Sequence, residues 1–269
     1  MQSLNPLNSV HGTTYFLSKC VEIPDSWQDQ ASGLIFEAGG EGLLKVNGLP
    51  YHGLDRNHGF VSLPRSRVGN KPQLEIELYD PIPEPHDPLN RQAVIQPPIQ
   101  GIRTALVHIN QPLQSLMYSV TVLAESLRAY NEKEPKRMAL IQAIHQVMDE
   151  MYNNPDRWTD AAWIQNFEHG LVQSVQQEDP EEYRSGFMHL VGQSHIDIAW
   201  LWPVRETVRK SSRTFSTMCT LMDTYPDFVY SQSQPQLYAF VKEHYPEIYE
   251  RVKKHISDGR WEVVGGMWV

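Results

Sequence analysis

The stretch Phe187–Pro203 reads FMHLVGQSHIDIAWLWP, and its reading decides the fold. A short apolar run, Met188 to Val191, stops at Gly192. After it come His195, Asp197 and Trp200 in the pattern His-x-Asp-x-x-Trp, then Trp202 and Pro203. The run has the length of a strand, and the segment opened by Pro203 has the look of a helix. The polar trio therefore falls on a strand-to-helix connection, the place where α/β folds assemble their sites.

Downstream the order continues as strand, helix, strand, helix, strand. Phe187–Gly192 is the first strand. A helix over Pro203–Tyr225 buries Val204, Val208, Phe215, Met218, Cys219 and Met222, and ends before Pro226, which cannot continue it. Phe228–Ser231 is the second strand. A helical pair, Gln236–His244 and Glu247–Ser257, is broken at Pro246 and stopped by Asp258-Gly259. Arg260–Val264 is the third strand. Sequential βαβ units close right-handed and pair in parallel. Three loops, QSHIDIAWLWP, QSQPQLY and GGMWV, are then expected to converge at the carboxyl ends of the strands.

Upstream the periodicity changes twice. Gln111–Ser185 carries helical spacing: Leu113, Leu116, Met117, Val120, Leu123, Leu127 and Tyr130, then Met138, Ile141, Ile144, Met148, Met151 and Tyr152. A third helix covers Asp160–Gln176, with Trp163, Phe167, Leu171 and Val172 inward. These Met-rich and aromatic stripes read as packing. Before residue 110 the signals are short strands: Thr13–Ile23, Leu34–Glu37, Leu43–Val46, the alternating Gln73–Tyr79, and Ala105–Ile109. Asn47-Gly48 is a strong hairpin signal, and PIPEPHDP (81–88) is an extended loop. The expected domains are a β-sandwich over 1–110, a helical connector over 111–186, and a βαβαβ segment from 187 to 269. The fold class is α/β.

Composition narrows the function. The chain has 269 residues and a formal net charge of −9, which argues against nucleic acid and anionic membranes. No apolar run is long enough to span a bilayer, and MQSLNPLNSVHGTTYF lacks the regions of a signal peptide. Cys20 and Cys219 are the two cysteines, which favours reduced thiols and a cytoplasmic location.

His195 and Asp197 are two residues apart, so on extended backbone both side chains fall on one side. An imidazole and a carboxylate suit a divalent ion, zinc first, with cobalt or another divalent ion as alternatives. Two ligands do not complete a zinc site. The competing reading is that the pair merely hydrogen-bonds, or that Asp197 caps the next helix. Trp200 favours a sugar, whose apolar face stacks on indole while its hydroxyls reach the ion. Trp202 reads as core. In YHGLDRNHGF (51–60), His52, Asp55, Arg56 and His58 could make a second metal or carbohydrate contact. The favoured reading there is a turn with local hydrogen bonds and surface histidines, because the spacing matches no ligand pattern.

GQSHIDIAWLWPVRETVRK and the segment from Thr220 to Val269 resemble the start of the catalytic domain of the glycoside hydrolase family 38 α-mannosidases, in their cytosolic and microbial branch. LKVNGLPYHGLDRNH resembles the leading domain of that branch. The resemblance implies a seven-stranded β/α barrel, here truncated to its first βαβαβ part, with His195 and Asp197 as two ligands of a catalytic zinc. It implies Trp200 as the aromatic stacked on the mannose ring. Trp268, on the GGMWV loop, joins it as a substrate-binding residue. The implied reaction is retaining hydrolysis of terminal α-D-mannosyl residues, with a carboxylate nucleophile and a carboxylate acid/base. Both are expected beyond Val269, so no catalytic carboxylate is assigned within the chain, and the chain alone is expected to be inactive. Where many relatives have a histidine two positions before the ligand histidine, this chain has Gln193; that position is not a ligand in the family. The implied partner is a mannose-containing oligosaccharide, with homo-oligomerisation left open. The alternatives are a metal-dependent carbohydrate deacetylase and a non-catalytic sugar-binding or interaction fragment.

Overall fold

The computed structural model describes residues 9–27, 31–82, 98–176, 188–200 and 202–266. Its chain divides into two compact units, one of Met1–His108 with His189–Val269, the other of Ile109–Met188.

The first unit begins with β1 (Thr14–Cys20), β2 (Ser32–Glu37), β3 (Glu41–Val46), β4 (Leu49–Leu54), β5 (Phe60–Ser62), a short helix α1 (Arg65–Val68), β6 (Gln73–Tyr79) and β7 (Arg103–His108). Two antiparallel sheets form, in the orders β1-β6-β3-β4 and β5-β2-β7. Their inward side chains share one core, including Leu34 and Phe36 from one sheet and Leu44, Ile76 and Leu78 from the other. The alternation in β6 works as expected, with Leu74, Ile76 and Leu78 buried between half-exposed glutamates. Asn47 and Gly48 both take positive φ, which closes the β3–β4 hairpin with the twist its strands need. β4 was not expected as a strand. Its sequence, LPYHGL, carries Pro and Gly, both poor strand formers, and it is buried at every position after Leu49. PIPEPHDP lies outside the described residues from Pro83 onward.

The same unit resumes with β8 (Gly192–Gln193) and ends in a βαβαβ run. The second unit intervenes, and its helices are α2 (Gln111–Ser126), α3 (Pro135–Asn153) and α4 (Ala161–Gln176). Asn110 caps α2 and Asp160 caps α4, each through a side-chain oxygen that accepts backbone N–H groups. The core is Leu116, Leu123, Leu140, Ala143, Val147, Ile164, Leu171 and Val175. The inward face of α3 therefore differs from the expected one: Met138, Met148, Met151 and Tyr152 are exposed, while Leu140, Ala143 and Val147 are buried. α3 carries two apolar stripes, and periodicity alone does not say which one meets α2 and α4.

After β8 come α5 (Val204–Thr224), β9 (Tyr230–Gln232), α6 (Pro235–His244), α7 (Pro246–Ser257) and β10 (Trp261–Val263). The sheet is parallel, in the order β10-β9-β8. Phe215, Cys219 and Met222 of α5 pack on Tyr230 and Trp261, with Leu237, Val241, Ile248 and Val252 completing the core. The first strand is shorter and later than expected. Only Gly192 and Gln193 pair with β9, while Met188, Leu190 and Val191 are exposed and lie outside any strand. Apolar residues hold strand geometry only where a neighbour supplies a ladder, and among the described residues none does so for that run.

α5 also packs on the sandwich, so it is buried on two sides. Toward β4 it presents small and hydroxylic residues. The Gly53 N–H donates to Thr217 Oγ1 at 2.8 Å, and Thr220 Oγ1 donates to the Tyr51 carbonyl. A Cβ on Gly53 would lie 3.0 Å from the Arg213 Cβ, so glycine lets strand and helix approach this closely. Arg251 adds a bond to the Pro50 carbonyl (3.2 Å), and Arg67 one to the Asp223 carbonyl (2.7 Å).

Candidate active site

The loop after β8 is built by alternation. Ile196 is buried in the core beneath the parallel sheet, which turns its neighbours His195 and Asp197 outward together. His195 Nε2 and Asp197 Oδ1 lie 3.0 Å apart, both side chains substantially exposed. The capping alternative does not hold: Pro203 is the N-cap of α5, with no side-chain cap bond. The pair does hydrogen-bond, as the plainer reading required. The same proximity, an imidazole nitrogen beside a carboxylate oxygen on an open loop, fits two adjacent positions of a divalent-ion ligand set. The described residues contain no group of three or more His, Cys, Asp or Glu that could hold a metal, so the pair fits as part of a set.

One buried hydroxyl organises the rest of the loop. Thr207 Oγ1, on the first turn of α5, accepts the Ala199 N–H at 3.1 Å and the Trp202 Nε1–H at 3.0 Å, and lies 3.4 Å from the Asp197 carbonyl, to which it can donate. Ala199 sits at φ +57°, a conformation that L side chains seldom adopt, and this tether offsets its cost. Trp200 is left exposed, available as a stacking plate. Trp202 is not core, contrary to expectation. It is half-buried at the wall of a cleft, with Lys210 Nζ 4.5 Å from its ring centroid. Trp268 lies outside the described residues.

That cleft has a volume of about 690 Å³. Ser194, His195 and Ile196 form one wall, and the turn Asp55–His58 of the sandwich forms another. Along its side run Lys210 and Arg213 of α5, which bracket Glu41 of β3: Lys210 reaches both carboxylate oxygens at 2.8 and 2.9 Å, and Arg213 joins Glu41 to the buried Glu206. Burial pushes the Glu41 pKa up, but the two cations outweigh it and leave it below the usual value.

The fragment His52–His58 divides. Asp55 accepts the N–H groups of Asn57 (2.7 Å) and His58 (2.9 Å) and pairs with His58 Nδ1, which is the expected local turn. Burial raises the Asp55 pKa, and these bonds more than reverse the shift. His52 is not at the surface. It is buried, with Nδ1 at 2.6 Å from the Gly53 carbonyl, and burial lowers its pKa to about 4. The contribution of Thr207 had no sequence signal, since VRETVRK reads as an ordinary helix start. Glu41 likewise carried no motif. On the second loop, Gln234 takes φ +67° with a buried Oε1 that has no partner among the described residues.

Such a loop, at the carboxyl end of a parallel strand and followed by a crossover helix, stands where α/β folds assemble their sites. Residues 186–269 match the N-terminal domain of glycosyl hydrolases family 38. The resemblance carried by GQSHIDIAWLWP onward is thereby shown over residues 186–269. The chain is 26% identical over 272 residues to alpha-mannosidase G of Dictyostelium discoideum, covering 96% of this chain and 24% of that protein. It is 28% identical over 257 residues to human alpha-mannosidase 2C1, covering 92% and 24%. Identity to an alpha-mannosidase of Saccharomyces cerevisiae reaches 42% over 80 residues, 29% of this chain and 7% of that protein. The chain spans about a quarter of the length of the first two of these relatives.

Proposed function

We propose that this chain is part of a metal-dependent retaining α-mannosidase that removes terminal α-D-mannosyl residues from oligosaccharides. The observation that carries the reading is the outward-facing His195–Asp197 pair on the loop after β8, inside the segment that matches the family. In this reading the βαβαβ run is the first part of a seven-stranded β/α barrel, and the loop lies on its catalytic face.

His195 Nε2 and an Asp197 oxygen would hold the ion, zinc before cobalt or another divalent cation. When bound, the ion supplies Lewis acidity and a grip on adjacent sugar hydroxyls. The remaining roles belong to the chain itself. Thr207 fixes the loop backbone at Asp197 and Ala199, so that the two ligand side chains are pre-set. Trp200 offers its exposed face to a sugar ring, excluding water from one side, and Trp268 is the second aromatic proposed to contact substrate. The nucleophile and the acid/base are proposed to be carboxylates outside residues 1–269. The proposed location is cytoplasmic, which accords with the two free cysteines, Cys20 and Cys219.

The test uses the full-length protein, an aryl α-mannoside and an acetylated carbohydrate. Mannose released with retained configuration, together with metal that co-purifies and is lost with activity on chelation, supports the reading. Acetate without mannose would instead establish the deacetylase, and full activity in metal-free protein would remove the metal from the proposal.

A further inference from the structure

The sandwich brings a turn to the same cleft as His195 of the candidate metal pair, and the glycosidase reading assigns that turn no task. We propose that this cleft holds the leaving-group side of a neutral oligosaccharide, with Arg56 and Asn57 of the sandwich as specificity-determining contacts; the inference rests on the glycosidase reading.

The cleft's place comes first. His195 and the Asp55–His58 turn line one continuous space, so a chain whose terminal sugar sits over the loop at His195 extends its next units along the turn. Its size follows. A volume of about 690 Å³ falls within the range of ordinary ligand sites and has room for more than a single sugar ring.

Charge chooses the ligand class. Each carboxylate of the walls is already matched: Glu41 by Lys210 and Arg213, Asp55 by His58 and two backbone N–H groups, and Asp80 by His11, Ser9 and the Ile99 N–H. In number the three wall carboxylates are balanced by Arg56, Lys210 and Arg213, which leaves little net field for an ion of either sign, yet these groups offer many dipoles and lone pairs to hydroxyl groups. The Arg56 guanidinium and the Asn57 amide have no side-chain partner among the described residues, and both are exposed on the turn. They supply donors, and in Asn57 also an acceptor, suited to sugar hydroxyls.

The turn is also held in advance of binding. Asp55 closes it from within, and β4, which leads into it, is tied to α5 through Gly53 and Tyr51. Contacts on a pre-set turn cost little ordering entropy, so they contribute to selectivity.

The experiment compares kcat/KM for α-mannotriose and for an aryl α-mannoside in the full-length protein, as wild type, Arg56→Ala, Asn57→Ala and the double variant, with Arg56→Lys as the conservative control. Thermal midpoints monitor the fold; both residues lie on the exposed part of the turn, and Asp55 is left intact. The expected result is a ratio of trisaccharide to aryl activity lowered about tenfold or more in the double variant, equivalent to about 1.4 kcal/mol, carried mainly by KM, with partial recovery in Arg56→Lys. An unchanged ratio overturns the proposal, whether both activities persist or both fall together. Wild-type protein that cleaves neither substrate overturns the glycosidase reading itself, and the inference with it, a result distinct from an unchanged ratio.

Discussion

The seam between α5 and the sandwich and the loop from His195 to Trp202, which leads into α5, are built on opposite principles. In the seam, charged and hydroxylic groups are fully or partly buried and paired: Arg213 between Glu41 and Glu206, Thr220 on the Tyr51 carbonyl, Arg251 on the Pro50 carbonyl. On the loop the polar side chains His195 and Asp197 face solvent, and only the backbone beneath them is fastened. Polar groups in the seam hold the structure because removing one leaves its partner stranded in a dry place. On the loop they are spared that task and are available for a ligand. The difference separates residues that hold the site from residues that would act in it.

The sharpest way to break this contrast is Asp197→Ala in the full-length protein. Activity on an aryl α-mannoside should fall about 1,000-fold, close to 4 kcal/mol of transition-state stabilisation, with bound metal lost alongside it. The unfolding midpoint should stay within the small range of surface substitutions. A large drop in stability would show that the loop's polar pair is structural after all.

Arg213→Met tests the other side. It leaves Glu206 with only the more distant Arg209, at 3.7 Å, and Glu41 with Lys210 alone, so stability should fall by about 2–3 kcal/mol in a denaturant titration. A loss below about 1 kcal/mol would mean that the Glu41–Arg213–Glu206 cluster is solvated in solution, and the seam would then resemble the loop.

A pH-dependent effect comes from His52, buried in β4 next to Gly53. Its folded pKa, about 4, lies below the ordinary 6.5, because burial disfavours the charged ring. Above pH 6.5 both folded and unfolded forms are neutral, and the stability is fully present. As the pH falls from 6.5 toward 4, the unfolded chain takes up the proton and the folded chain does not, so stability declines, by up to about 3 kcal/mol. Unfolding midpoints at pH 7 and pH 4.5 should therefore converge between wild type and His52→Gln as the pH drops. Parallel curves would show that His52 titrates freely.

Much of this was legible in the chain itself, for reasons particular residues make plain. The run from Pro203 to Ser257 shows its helices because Pro226 and Pro246 punctuate it and its apolar positions recur at helical spacing, and the structure places α5, α6 and α7 within two residues of the expected bounds. β6 was visible because one of its faces is apolar and the other acidic. β4 was hidden, since a strand covered by β3 on its edge and by α5 on its face need not alternate and can carry Pro50, His52 and Gly53. The inward stripe of α3 was ambiguous for the related reason that apolar spacing marks a helix without naming its partner.

Within the candidate site the division has the same physical origin. His195, Asp197 and Trp200 could be named from local chemistry, because an imidazole, a carboxylate and an indole at that spacing after a strand carry their meaning in the covalent order of the chain. The roles of Thr207, Glu41 and Arg56 depend on groups that are distant in sequence. Thr207 matters because a helix start folds back under the loop, Glu41 because β3 meets Arg213 more than 170 residues later, and Arg56 because its turn lines the same cleft as His195. Sequence by itself determined the chemistry on offer and the elements that carry it. Only tertiary packing, which sets which buried group finds a partner and which exposed group is left open, decided the site those residues share.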